Sequence, residues 1–110
     1  MYSVEYLPLA LRDLQEIARY IAHALKNPAA AERTVENIVR AVDQLSDMPY
    51  RRAAYTPIRP LKHEYRTMRC ATYVAFYWVE EDRKTVVVAR VLYAKANISK
   101  RLSEAERLSS

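Results

Sequence analysis

Arg66, Arg69, Arg90, Lys95, Lys100 and Arg101 are interleaved with Tyr65, Tyr73, Tyr77 and Tyr93. Guanidinium and ammonium groups hold anions and phenols donate hydrogen bonds, so this half of the chain carries the groups best suited to chemistry or binding. Other chemistries are thinly supplied. Glycine is absent, which removes the glycine-rich loops that bring backbone against a nucleotide phosphate. One cysteine, Cys70, cannot form an internal disulfide and reads as a buried, inert thiol. With only His23 and His63 beside it, no metal-ligand cluster is expected, and no cofactor.

The charge of +5 is unevenly spread. Residues 1–49 hold 5 Lys/Arg against 7 Asp/Glu, or −2; residues 50–102 hold 12 against 4, or +8; residues 103–110 hold 1 against 2, or −1. A basic second half favours an anionic partner, either nucleic acid or an acidic protein.

The elements that must position these groups follow from periodicity. Ser3 to Tyr6 alternate in polarity and read as part of a short strand over 2–6. Pro8 suits the first turn of a helix, after which Leu11, Leu14, Ala18, Ile21 and Leu25 recur at spacings of three and four. Asn27-Pro28 is a helix start, and Ala31, Val35, Ile38, Val42 and Leu45 form a second stripe. So short a connection folds the pair into a helix hairpin. Pro49, Pro57 and Pro60 mark a surface connection carrying Arg51, Arg52 and Arg59. The period then becomes two: 63–69, 72–79 and 85–93 read as strands, rich in β-branched and aromatic residues. Residues 80–84 form a charged hairpin connection, 94–102 a short helix, and 103–110 a flexible tail.

Strand, helix, helix and three strands make an α+β fold, β-α-α-β-β-β with a short C-terminal helix. The helix hairpin packs on one face of a mainly antiparallel sheet. With 51% apolar and 28% charged residues, the chain is an ordinary globular domain over 1–102. The strands, however, are apolar on both faces: Tyr73, Ala75, Tyr77 and Val79 on one, Val74, Phe76 and Trp78 on the other. Two helices cover one face, so the other is expected to expose an aromatic surface flanked by arginines.

The order and spacing of these segments resemble the RelE/ParE toxin superfamily, also known as plasmid-stabilisation proteins. The resemblance runs over about 2–102: an opening strand, the helices LPLALRDLQEIARYIA and PAAAERTVENIVRAVDQLSDMP, and EYRTMRCATYVAFYWVEEDRKTVVVARVLYAKANI. Its most specific pieces are Tyr65-Arg66, the YVAFY run from Tyr73 to Tyr77 before an acidic turn, and Arg90 to Tyr93.

The resemblance implies a growth-inhibiting toxin of a type II toxin-antitoxin system, held by a cognate antitoxin in a complex such as a heterotetramer. The lack of an apolar run near the roughly 20 residues of a membrane span, and of a basic-then-apolar layout in MYSVEYLP, sets the expectation of a cytoplasmic protein that is not membrane-bound. Relatives divide into ribosome-dependent mRNA endoribonucleases, which inhibit translation, and DNA gyrase inhibitors. The former need no metal: the RNA 2′-OH attacks the adjacent phosphate, cations stabilise the developing charge, and a further group moves protons. On this expectation Arg66, Arg69, Tyr93 and Lys95 sit near the scissile phosphate of ribosome-bound message. Tyr65, Tyr73, Tyr77, Arg90, Lys100 and Arg101 bind RNA or a partner.

The chain departs from the nuclease pattern at two places. Val74 stands where an arginine often follows the tyrosine matched by Tyr73, and Tyr93-Ala94-Lys95-Ala96-Asn97 stands where relatives carry two arginines. Lys95 supplies charge but not a bidentate guanidinium fork. Arg66 and Arg69, three apart, point to opposite faces of a regular strand. The leading expectation is the ribosome-dependent mRNA endoribonuclease; these departures strengthen the alternatives, a gyrase inhibitor without nuclease activity or a member that has lost activity and only binds an antitoxin.

Overall fold

The computed structural model describes residues 1–52, 54–56, 61–95 and 98–109, with the backbone alone for Ser99, Leu108 and Ser109. Pro57, Arg59 and Pro60 of the expected surface connection, Ala96-Asn97, and Ser110 lie outside the described residues. Among the described residues no helix is long and apolar enough to cross a membrane.

A short first strand, β1 (Ser3–Tyr6), leads into α1 (Pro8–Arg19). Pro8 occupies the first turn, where its missing N–H leaves no bond unmade. Wider π-helical turns continue α1 over Tyr20–Ala24. Asn27 then caps α2 (Pro28–Asp43), its Oδ1 accepting from Ala30 N at 3.1 Å, as the Asn-Pro pair dictates. Three strands follow: β2 (Arg66–Cys70), β3 (Tyr73–Glu80) and β4 (Thr85–Tyr93). The chain closes with α3 (Ile98–Ser109).

The sheet order is β1-β4-β3-β2, antiparallel except for β1, which runs parallel to β4 with Tyr6 opposite Val88. The expected α+β architecture and helix hairpin are present. Lacking glycine, the two hairpin turns place Ala71 and Lys84 in left-handed backbone, at φ 55 and 48, a conformation that strains a residue bearing a Cβ.

One core lies between the helix hairpin and the sheet. Ala10, Leu14, Ile17 and Ile21 of the first helical segment meet Ile38, Val42 and Leu45 of the second over Met68, Ala75, Tyr77, Val86, Val88 and Val91. The first stripe is rotated from the expected one. Leu11 and Leu25 face solvent while Ala10 and Ile17 are buried, because the packing axis follows the 10-14-17-21 row.

The larger correction concerns the opposite face of the sheet, which is not open. Tyr65, Phe76, Trp78, Val87, Ala89 and Leu92 are buried there with Leu102 of α3, and Tyr55, Leu61, Val74 and Ile98 pack around them. Residues 103–109, read from composition as a flexible tail, continue α3, and Ala105 and Glu106 are buried. Ile98, Leu102 and Ala105 follow one another at spacings of four and three, so they share one helical stripe. Burying a leucine such as Leu102 contributes on the order of 1.5–3 kcal/mol.

Polar contacts hold α3 in place. The Glu106 carboxylate accepts from Lys62 N at 2.8 Å, His63 N at 3.3 Å and the Tyr65 hydroxyl at 3.1 Å. His63 stacks flat on Trp78, ring centroids 3.8 Å apart. Residues 63–65, expected at the start of a strand, thus form the clasp between α3 and the sheet, and β2 begins only at Arg66.

Candidate functional site

Strand register decides which of the expected site residues can meet. Arg66 lies opposite Tyr77 and Tyr93 opposite Tyr73, so the two are four positions apart along β3, roughly 13 Å at the rise of a strand. Arg66 shares the helix-facing side of β2 with Met68 and Cys70, and Arg69 points to the other side. The sheet therefore does not gather Arg66, Arg69 and Tyr93 around one phosphate.

Their local bonds say the same. The Arg66 guanidinium donates to the carbonyl oxygens of Tyr50 at 3.3 Å and Arg52 at 2.7 Å, pairs with Glu64 at 3.0 Å, and lies over the Tyr50 ring. It ties the 49–52 turn to the sheet. Arg69 is exposed and donates its Nε–H to Ala71 O at 3.0 Å. Lys95 is exposed beyond the end of β4.

Three residues expected to bind RNA or a partner, Tyr65, Tyr77 and Arg90, are buried in contacts within the chain. Tyr65 is buried against Glu106, and burial together with that carboxylate pushes its phenol pKa well up. Tyr77 is fully buried and donates to Pro49 O at 2.6 Å; burial pushes its pKa up to about 12, with Arg66 and Arg52 opposing the shift. Arg90 is buried in a bidentate pair with Asp13, at 2.7 Å for both Nε–Oδ2 and Nη2–Oδ1. Lys100 and Arg101 are exposed on α3, the Arg101 carbonyl accepting from Arg90 at 3.3 Å.

The Arg90 pair has a backbone cause. β1 stops opposite Val88, so the later part of β4 has no strand beside it on that side. Asp13 fills the gap, its Oδ2 accepting from Val91 N at 2.9 Å while the carboxylate pairs with Arg90. A β-bulge between Phe76 and Tyr77 skips Ala89 in the register, so Val88 and Val91, three apart, both face the helices. Such bulges re-aim side chains.

What the structure does assemble is a tyrosine-lined cleft where the end of α1 overhangs the ends of β3 and β4. Tyr20, Tyr73 and Tyr93 surround a space of about 560 Å³, with Ile17 and Glu16 completing the lining. Tyr73 and Tyr93 face each other across the β3–β4 pair, ring centroids 6.3 Å apart at 69°. Partial burial and the neighbouring Tyr20 and Tyr93 phenols raise the Tyr73 pKa. Tyr20 and Tyr93 remain 58% and 48% exposed. A second cleft of about 590 Å³ continues from it toward α3, sharing Glu16, Ile17 and Tyr93 and reaching Arg12, Arg101 and Glu104.

Sequence reasoning named Tyr73 and Tyr93 but not Tyr20 or Glu16. The available signal was an aromatic residue off the buried stripe of an amphipathic helix, at the point where the helix widens.

Comparison with known proteins agrees with the fold. The profile of the ParE toxin family, described as the ParE toxin of the type II toxin-antitoxin system parDE, matches residues 4–98. No curated protein matches the chain significantly by sequence. Among solved structures, a chain of the chromosomal ParDE system of P. aeruginosa is similar at a TM-score of 0.70 and 22% identity, covering 86% of this chain and 98% of that one. The toxin-antitoxin complex RelBE2 of Mycobacterium tuberculosis gives 0.60 and 25%, covering 84% and 96%. A mutant of the E. coli toxin RelE in the free state gives 0.61 and 17%, covering 99% and 98%.

In this chain a helix hairpin and a C-terminal helix lie on opposite faces of a four-stranded sheet, an α+β fold shared with these RelE and ParE structures. This chain belongs to the ParE toxin family of type II toxin-antitoxin systems.

Proposed function

We propose that this toxin arrests growth as a protein-binding inhibitor of DNA gyrase rather than as an mRNA endoribonuclease, and that a cognate antitoxin neutralises it. The observation that carries this reading is the commitment of Arg66 to the Tyr50 and Arg52 carbonyls, about four strand positions from Tyr93. In-line attack by a 2′-OH needs cations and a proton-transfer group converging on one phosphate to within hydrogen-bond reach. Val74 adds a further absence, since an uncharged side chain stands between the two tyrosines of the YVAFY run. Inhibition by binding requires no such convergence, only a surface complementary to the target. The antitoxin expectation is supported by the ParDE and RelBE2 neighbours, which are toxin-antitoxin systems in their own right.

The test pairs two assays on the purified toxin. Added to gyrase and relaxed plasmid, it is expected to inhibit supercoiling in a dose-dependent manner; added to translating ribosomes, it is expected to leave message intact. Message cleavage without gyrase inhibition would reverse the assignment, and failure in both assays would leave a binding-only family member and overturn it.

A further inference from the structure

We propose that the cleft formed by Tyr20, Tyr73, Tyr93 and Glu16 is a receptor for an arginine side chain presented by a partner protein. Three ring systems and one carboxylate around a single opening are the complement of a planar cation. Aromatic faces attract cations through their quadrupole, and guanidinium also stacks on them, while a carboxylate at the rim supplies the opposite charge.

The rest of the molecule shows the same chemistry already satisfied from within. Arg66 sits over the Tyr50 ring and Lys84 over the Tyr2 ring, each 5.2 Å from the centroid. Among the described residues no cation lies over Tyr20, Tyr73 or Tyr93, although two of these rings are about half exposed. Glu16 is paired with Arg19 at 3.2 Å, but both side chains are well exposed, at 63% and 65%. Such a surface pair is weak, so Glu16 can exchange Arg19 for an incoming guanidinium.

The backbone helps to present the cage. The α-helix opens into π-helical turns at Tyr20, with Leu25 N donating to Tyr20 O at 3.3 Å, and π-turns recur at functional sites because they displace a side chain from the regular helical row. The opposing pair is fixed by register, Tyr73 against Tyr93. One wall is therefore set by the sheet and the other by an irregular helix end.

The lining favours a protein cation over nucleic acid. Tyrosines can stack bases, but Glu16, the charged residue of the lining among the described residues, repels a phosphodiester and attracts a guanidinium. Arg12 and Arg101 lie in the adjoining cleft, where they suit carboxylates following the arginine in the same partner segment. The proposal does not depend on gyrase being the target of the toxin.

Three probes test it on the whole protein by following tyrosine ring resonances in NMR: N-acetyl-arginine methylamide, its neutral citrulline counterpart, and adenosine 5′-monophosphate. The arginine compound is expected to shift the Tyr20, Tyr73 and Tyr93 rings saturably and to bind more tightly than citrulline. Tyr20→Leu and Glu16→Gln, both at exposed positions, are each expected to weaken it about threefold, with the thermal midpoint checking the fold. Equal binding of citrulline, preference for the nucleotide, or shifts confined to Tyr2 and Tyr50 would overturn the proposal. The wild-type comparison of arginine with citrulline stands even if a variant misfolds.

Discussion

Asp13 and Arg90, 77 residues apart, form a bidentate ion pair whose side chains are only 12% and 6% exposed. The pair joins α1 to β4, and through the Arg101 carbonyl and Glu104, 4.0 Å from Arg90, it reaches α3. Three elements thus meet at one guanidinium. Removing a single partner leaves a buried charge uncompensated, which typically costs about 3–5 kcal/mol, whereas replacing both with apolar groups is far milder. Asp13→Ala is therefore expected to lower urea-unfolding stability by about that amount, and Asp13→Ala with Arg90→Met to recover at least half of it. A loss below about 1 kcal/mol in the single variant would show that the pair is not what joins these elements.

Docking of α3 can be followed from within, because Trp78 is the only tryptophan of the chain and lies beneath it. Leu102→Ala opens a cavity against Phe76 and Trp78, and is expected to cost about 2–5 kcal/mol. Tryptophan emission should shift to the red below the main unfolding transition, as α3 lifts from the sheet before the rest opens. Emission changing only in step with global unfolding would mean that α3 and the helix hairpin form one cooperative unit.

Acid is expected to act late at the exposed end of the sheet where Glu81 meets Tyr2, Tyr50 and Lys84. Their hydrogen bonds, that of Lys84 foremost, hold the Glu81 carboxyl at about 2, below the ordinary 4.5. A depressed folded-state pKa stabilises the fold fully above the unfolded value, and this contribution fades as pH falls from about 4.5 toward 2. Carboxyl-carbon NMR should find Glu81 ionised at pH 3, and Tyr50→Phe should move its titration upward. A wild-type midpoint near 4.5 would contradict this arrangement.

The turn between β2 and β3 offers a stabilising substitution. Ala71 is exposed at φ 55, where a Cβ is strained by roughly 1–2 kcal/mol. Glycine there loses more chain entropy on folding, so Ala71→Gly should gain about 0.5–1 kcal/mol net in urea unfolding. Destabilisation would show that the turn relaxes to another backbone in solution.

Much of this architecture is legible in the residues. Asn27-Pro28 specifies a cap, the stripe from Ala31 to Leu45 specifies a buried helix face, and the alternation of Tyr73 to Val79 assigns each side chain its sheet face. The last helix is not legible by composition alone, because polar and charged residues dominate Ser103 to Ser110 while Leu102 and Ala105 carry the contact. A helix ending at Leu102 leaves the second sheet face without enough cover from the chain itself, which is why composition predicts an exposed surface there. Arg90 reads as a binding residue in the sequence for a related reason: its partner Asp13 lies far off along the chain and falls on the polar side of the α1 stripe. Strand register, which separates Arg66 from Tyr93, depends on the Ala89 bulge and on turn lengths, and neither announces itself in a chain without glycine.

Whether the toxin inhibits without cutting RNA can be decided by mapping the 5′ ends of ribosome-bound message before and after its induction in growing cells. Growth is expected to stop with no new ends inside open reading frames. Discrete new 5′-hydroxyl ends within codons, appearing as growth stops and abolished by Arg69→Ala with Lys95→Ala at these exposed positions, would contradict it.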